Sequence, residues 1–300
     1  MRKILVIGST VTDVIINVDH LPSTAQDVHI ISQNTSLGGC AHNVSDSIRH
    51  FNVPYLLFSP VGTGIYGDYV RNELAKKRIT SPVPTPEQAN GCCYCFVETS
   101  GERTFIVDRG AEYRFYKEWF DDINLEEFSH VYFCGLELEE PTGGNIVDFL
   151  ERCNLPIFFA TGPRITQIDK DMMQRLFALH PILHMNESEL CQYTGIDNLE
   201  QAADFLYQQT NNTIIITLGS NGACFYDADG IHYVEPVKAE HIVDTIGAGD
   251  SHFGSVIACL MKGMSMETAI ANANKVASAV VCNKGALLDD TVFKQLFANV

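Results

Sequence analysis

Positive charge is scarce in this sequence: 20 Lys and Arg stand against 37 Asp and Glu, a formal net charge of −17 over 300 residues. A surface so dominated by negative charge repels phosphate backbones and anionic headgroups, so neither nucleic acid nor membrane is an expected partner. Long apolar runs are also missing. The N-terminal MRKILVIGSTVTDVIINVDH breaks each hydrophobic stretch with charge and carries no small-residue cleavage site, so nothing in it directs export. The ten cysteines then do not read as a disulfide framework. Cys134, Cys224, Cys259 and Cys282 lie in apolar runs, where a reduced thiol behaves as a small hydrophobe, and a reducing cytoplasm is the expected location. Cys92-Cys93-Tyr94-Cys95 lacks a second Cys or His pair at zinc-finger spacing and reads as strand packing. Gly8-Ser9-Thr10 closes the first apolar run without G-x-G-x-x-G, which excludes a dinucleotide phosphate turn. No internal repeat, low-complexity tract or flexible linker is evident.

What is present is the composition of a globular chain, 46% hydrophobic and 19% charged, long enough for one large core. Strand-length apolar runs recur at 3–8, 55–61, 131–135, 156–159, 182–185 and 213–218, most of them continuous, as strands covered on both faces require. Helical spacing lies between them: Ala41, Val44, Ile48 and Phe51, then Val70 and Leu74. The alternation predicts an α/β fold, a mainly parallel central sheet with helices on both faces. A hairpin follows over 223–234, and two long helices begin near Gly249 and Met266. Residues 14–37 and 92–107 break the alternation and suggest strands of a small separate sheet, a lid or interface rather than a second domain, within one domain spanning 1–300.

Chemistry concentrates in Asp244-Thr-Ile-Gly-Ala-Gly-Asp250-Ser-His-Phe-Gly254. Gly247, Ala248 and Gly249 leave backbone N–H groups open to a ligand where a helix begins, which makes an anion hole. Asp250 in the first turn stands where a carboxylate can take a proton from an attacking hydroxyl; the alternative for this segment taken alone, a tight turn with a capping aspartate, is the weaker reading. Gly38-Gly39-Cys40-Ala41-His42-Asn43 sits at another loop-to-helix junction, with Asn43 able to donate to and accept from a polyol. Asp13, just beyond the first strand, is placed where ligands gather in open α/β sheets, or is a loop aspartate.

Together these segments resemble the PfkB, or ribokinase-like, carbohydrate kinase family over nearly the whole chain. Thr217-Leu-Gly219-Ser-Asn-Gly222 is similar to its nucleotide loop and Asn186-Glu-Ser-Glu189 to its N-x-x-E motif. The resemblance implies a ribokinase-like fold with a small β-sheet lid and ATP-dependent phosphorylation of a sugar-like alcohol. Asp250 is then the general base and the Gly247, Ala248 and Gly249 amides the anion hole. It implies that Asp13, Gly38, Gly39, Asn43 and Glu139 hold the sugar, and that Thr217, Gly219, Gly222 and Asn274 hold ATP. Asn186 and Glu189 would order water on Mg²⁺, and with no Walker lysine, phosphate contact falls to backbone amides and that ion. Many members also bind a monovalent cation such as K⁺, matched here by Asp244, Ile246, Val280, Asn283 and Gly285. The lid often doubles as the interface of a homodimer.

Cys40 and His42 replace residues usual in ribokinases, so ribose is not the default acceptor. A free sugar or sugar acid and a nucleoside compete; a nucleoside needs an apolar shelf, for which Phe96, Phe105 and Tyr113 are candidates. His42 is a candidate for the sugar pocket and Arg109 for the closed site, while Glu102 and Arg103 read as solvated turn residues. A sugar or nucleotide sensor without turnover is the reading of a different class; the intact Asp250 argues against it.

Overall fold

A computed structural model describes residues 1–298; of the span 1–300, the last two lie outside the described residues. The chain runs β1 (Lys3–Ile7), β2 (Val11–Val18), β3 (Ile30–Gly38), α1 (Cys40–His50), β4 (Tyr55–Phe58), α2 (Gly64–Lys76), β5 (Cys92–Glu98) and β6 (Arg103–Asp108). It continues through β7 (Phe128–Cys134), α3 (Gly143–Cys153), β8 (Ile157–Ala160), α4 (Lys170–Phe177), β9 (Ile182–Asn186), α5 (Glu187–Thr194) and α6 (Leu199–Thr210). The last elements are β10 (Ile214–Thr217), β11 (Ala223–Asp227), β12 (Gly230–Val234), α7 (Ala248–Met261), α8 (Met266–Val280) and α9 (Asp290–Leu296).

The central sheet has the order β12-β11-β10-β9-β8-β7-β1-β4, parallel from β4 to β10, with the β11–β12 hairpin closing it antiparallel. Because successive strand side chains point to opposite faces, one run of residues serves two cores. Ile4, Val6, Leu57, Tyr132 and Phe158 pack under α1, α7 and α8, whereas Leu5, Ile7, Phe58, Val131 and Phe159 pack under α3, α4 and α6. This double coverage is why the runs read as continuous hydrophobes.

The second sheet is β3-β2-β5-β6, with β2 and β5 parallel and the outer pairs antiparallel. It begins at Val11 rather than at 14, so Asp13 is carried on a strand of this sheet and not on a loop beyond β1. The cause is local: after Gly8-Ser9-Thr10 the β-branched run Val11-Thr12-Asp13-Val14-Ile15-Ile16 favours an immediate second strand. Its β3 and β6 are largely exposed. Among the described residues no helix is long and apolar enough to cross a membrane, and the cysteines are free.

Candidate active site

The first turn of α7 is the centre of the site. Gly247 caps it in a left-handed conformation (φ 74°), and a Cβ there would meet that of Ala286 at 2.4 Å, so a side chain is excluded twice over. The opening N–H groups of any helix lack intrahelical acceptors and carry its positive end. A cavity of about 450 Å³ lies on one side, lined by Gly247, Asp250, Ile246, Gly39, Asn43 and Asp13 among others. A second of about 690 Å³ lies on the other, lined by Ala248, Gly249, Thr217, Gly219, Gly222 and Asn274 among others. One helix start therefore divides two cavities.

Asp250 is held in place by Asn43, whose Nδ2 donates to Oδ2 at 2.8 Å across the α1–α7 contact. Burial pushes the Asp250 carboxyl up to about 6, and its hydrogen bonds with Asn43 and Cys40 oppose the shift. Asp13 is pushed further, to about 7, chiefly by burial and then by the charges of Asp250 and Asp244. Asp13 thus takes up a proton before Asp250 does, leaving Asp250 the stronger candidate for a free base near neutrality. Gly38 does not line the cavity; it lies against Asp13, whose Oδ2 would be 2.0 Å from any Cβ.

In the larger cavity Thr217 ends β10 in register with Asn186 at the end of β9. Asn274 Nδ2 donates to the Glu235 carbonyl at 2.9 Å, and its Oδ1 meets His252 Nε2 at 3.2 Å. His252 Nδ1 in turn meets His184 Nε2 at 3.0 Å. Asn186 and Glu189 form a reciprocal capping box on α5: Glu189 N–H donates to Asn186 Oδ1 at 2.8 Å and Asn186 N–H to Glu189 Oε2 at 2.9 Å. Burial, with a contribution from the Asp250 charge, raises the Glu189 carboxyl. Two carboxylates in each other's field fit a cation held nearby through water and phosphate oxygens, and among the described residues no three His, Cys, Asp or Glu converge to chelate one directly.

Several expectations change. Glu139 does not line the smaller cavity: it accepts from Arg164 Nε at 2.8 Å and Arg109 Nη1 at 3.4 Å, and those two arginines do line it. His42 is fully buried against Lys77 and Asp46, away from the cavity, because the α1 face that carries it packs inward. Phe105 and Tyr113 line the cavity, as do Cys93, Cys95 and Val107. Phe96 does not, since alternation turns it to the other face, where it packs beside Val14 and Ile16. Arg103 is not a solvated turn residue; its Nη1 is hydrogen bonded to Asp244 Oδ1. Oδ1 also accepts from the Ile246 N–H at 2.8 Å and Oδ2 from the Gly285 N–H at 3.1 Å, while the Val280 carbonyl accepts from the Asn283 N–H at 2.9 Å. With the Arg103 guanidinium already on that carboxylate, a monovalent cation bound through it would meet a like charge. Sequence reasoning missed Arg164 and His252 because nothing in their spacing marks them, whereas the period-two pattern of Cys93 and Cys95 was available to show a shared face.

Residues 1–291 match the model of the pfkB family carbohydrate kinases, and the chain belongs to that family. It is an ATP-dependent carbohydrate kinase. It is 31% identical over 289 residues, 95% of this chain and 90% of the other, to the protein described as "Uncharacterized sugar kinase YegV" of Escherichia coli (strain K12). Among solved structures it is similar in fold to a ribokinase from Thermotoga maritima, with a TM-score of 0.85 at 21% identity covering 100% of both chains. The nucleoside kinase of Methanocaldococcus jannaschii gives a TM-score of 0.81 at 23% identity, covering 100% of this chain and 99% of the other.

Proposed function

We propose that the chain transfers the γ-phosphoryl of ATP to a hydroxyl of a small sugar-like alcohol, with the alcohol in the smaller cavity and the nucleotide in the larger. The observation carrying this is the shared helix start: Gly247 and Asp250 face one cavity, Ala248 and Gly249 the other. A phosphoryl group in transit between them passes the positive end of α7, where backbone N–H groups receive its developing charge. Asp250, fixed by Asn43, takes the hydroxyl proton; a base near 6 is free at neutral pH yet basic enough to assist. Asp13 holds acceptor hydroxyls, and Arg109 and Arg164, oriented by Glu139, border them. Thr217, Gly219, Gly222 and Asn274 wall the nucleotide. Asn186 and Glu189 would hold the water shell of a magnesium ion, which when bound neutralises phosphate charge.

The four-stranded sheet acts as a lid over one kinase domain, since Cys93, Cys95, Phe105 and Val107 reach into the cavity from it. Ile30, Ile31 and Ile106, exposed on the same sheet, support its pairing with a second copy in a homodimer. A nucleoside acceptor is the second reading, favoured by the apolar wall of Phe105, Val107 and Tyr113. ADP release from ATP and Mg²⁺ across pentoses, hexoses, sugar acids and nucleosides tests both readings. Activity on one class, lost in Asp250→Asn, supports the proposal and names the acceptor. Silence across the panel from a folded protein that binds ATP sinks it in favour of a sensor.

A further inference from the structure

Asp244 is 5% exposed and its carboxylate has three partners from three parts of the chain. The Ile246 N–H belongs to the turn that leads into Gly247, and the Gly285 N–H to the loop whose Ala286 abuts Gly247. The third partner, Arg103, opens β6 of the four-stranded sheet and is four-fifths buried. Two backbone amides and one guanidinium account for both carboxylate oxygens, and the guanidinium supplies the positive charge that offsets Asp244. A buried carboxylate left without that charge would carry a desolvation cost large enough to disturb the turn it organises. Ile246, Gly247 and Gly285 all line the smaller cavity, so the ion pair closes directly onto the reaction centre.

We propose that Arg103 is a positioning residue that serves in place of a monovalent cation, neutralising Asp244 so that the Ile246–Gly247 turn keeps the shape that receives negative charge. Because the guanidinium arrives on the four-stranded sheet, seating of that sheet over the acceptor and completion of the turn become one event. The activity arm of the test rests on the kinase reading; the exchange arm does not.

In the full-length enzyme, wild-type kcat should change by less than about twofold when K⁺ or Na⁺ is replaced by tetramethylammonium at constant ionic strength. Arg103→Ala should lose at least tenfold in kcat, with a smaller change in KM for ATP, and K⁺ should restore part of the loss where tetramethylammonium does not. Arg103→Lys should retain most of the activity. Independently of turnover, hydrogen exchange over 243–249 and 283–287 should be faster in Arg103→Ala and slowed again by KCl, with wild type indifferent to KCl. Tenfold activation of wild type by K⁺ overturns the proposal, as does an alanine variant with unchanged exchange and kcat, or one whose losses K⁺ does not mend. Should Arg103→Ala fail to fold, the cation titration of wild type and of Arg103→Lys still decides. If no acceptor is ever phosphorylated, the exchange results judge the ion pair alone.

Discussion

The two cavities that meet at α7 are walled by different material. Around the larger, small residues and backbone predominate: Gly219, Gly222, Ala239, Ala248, Gly249, Ala277. Around the smaller, side chains predominate, many of them sulfur, aromatic or titratable: Cys40, Cys93, Cys95, Phe105, Tyr113, Asp13, Asp250, Arg109. In the assignment proposed above the larger cavity takes the nucleotide, whose phosphates are the same for every kinase, so backbone amides and open turns suffice there. An acceptor is distinguished by its hydroxyls and its shape, and only side chains can encode those.

The strongest way to break the contrast is to strike Asp250, which lines only the smaller cavity and stands on the helix turn that divides the two. Asp250→Asn should lower kcat by about 10²- to 10⁴-fold while ATP affinity shifts little, as steady-state kinetics and nucleotide titration would show; an unchanged kcat removes Asp250 from the chemistry. Next in size, Asn274→Ala removes a lining side chain of the larger cavity and frees the carbonyls of Val234 and Glu235 behind it; under the proposed assignment it should raise KM for ATP by about tenfold, worth ~1.4 kcal/mol, with KM for the acceptor nearly constant. An equal change in both constants would mean that the two walls are not independent. The pH profile of kcat should fall by about a decade per unit below about 6, as Asp250 gains its proton; a profile flat down to pH 5 contradicts that protonation.

The smallest effect concerns stability and has the opposite sign to function. Asp13 is raised from 3.8 to about 7, so its contribution to folding is fully present below about pH 4 and is lost as pH rises through 7. Asp13→Asn should therefore raise Tm by a few degrees at pH 8, about 1–2 kcal/mol after discounting for its partial exposure, while weakening acceptor binding. A variant melting below wild type at pH 8 would show that the burial cost of Asp13 is already offset in the native protein.

The contrast also explains what the sequence discloses. Strands covered on both faces leave continuous apolar runs, and a turn without side chains leaves glycines, so the central sheet and the α7 start were legible. The passage from β1 into β2 was not, because three short residues connect two β-rich runs and nothing in periodicity says that the second run joins a different sheet. Arg103 follows Ser100-Gly101-Glu102 and looks like the solvated end of a hairpin; its partner Asp244 is brought to it only by tertiary folding. Glu139 and His42 failed for a related reason: a residue's neighbourhood in sequence fixes its element but not which cavity that element faces.

The chain of bonds from His184 through His252 to Asn274 has a direction. Because the Asn274 amide donates to a carbonyl, its Oδ1 faces His252 and must accept, which fixes His252 as the Nε2–H tautomer. The unprotonated Nδ1 of His252 must then accept from His184, which is fixed as the same tautomer. Burial holds both rings neutral, His252 down to about 4 and His184 well below its usual value. The two rings consequently hold the same protons across the range in which Asp13 and Asp250 exchange theirs. Acidification from pH 8 to pH 5 therefore titrates Asp13 and Asp250 while the His184–His252–Asn274 chain keeps its protons and its direction.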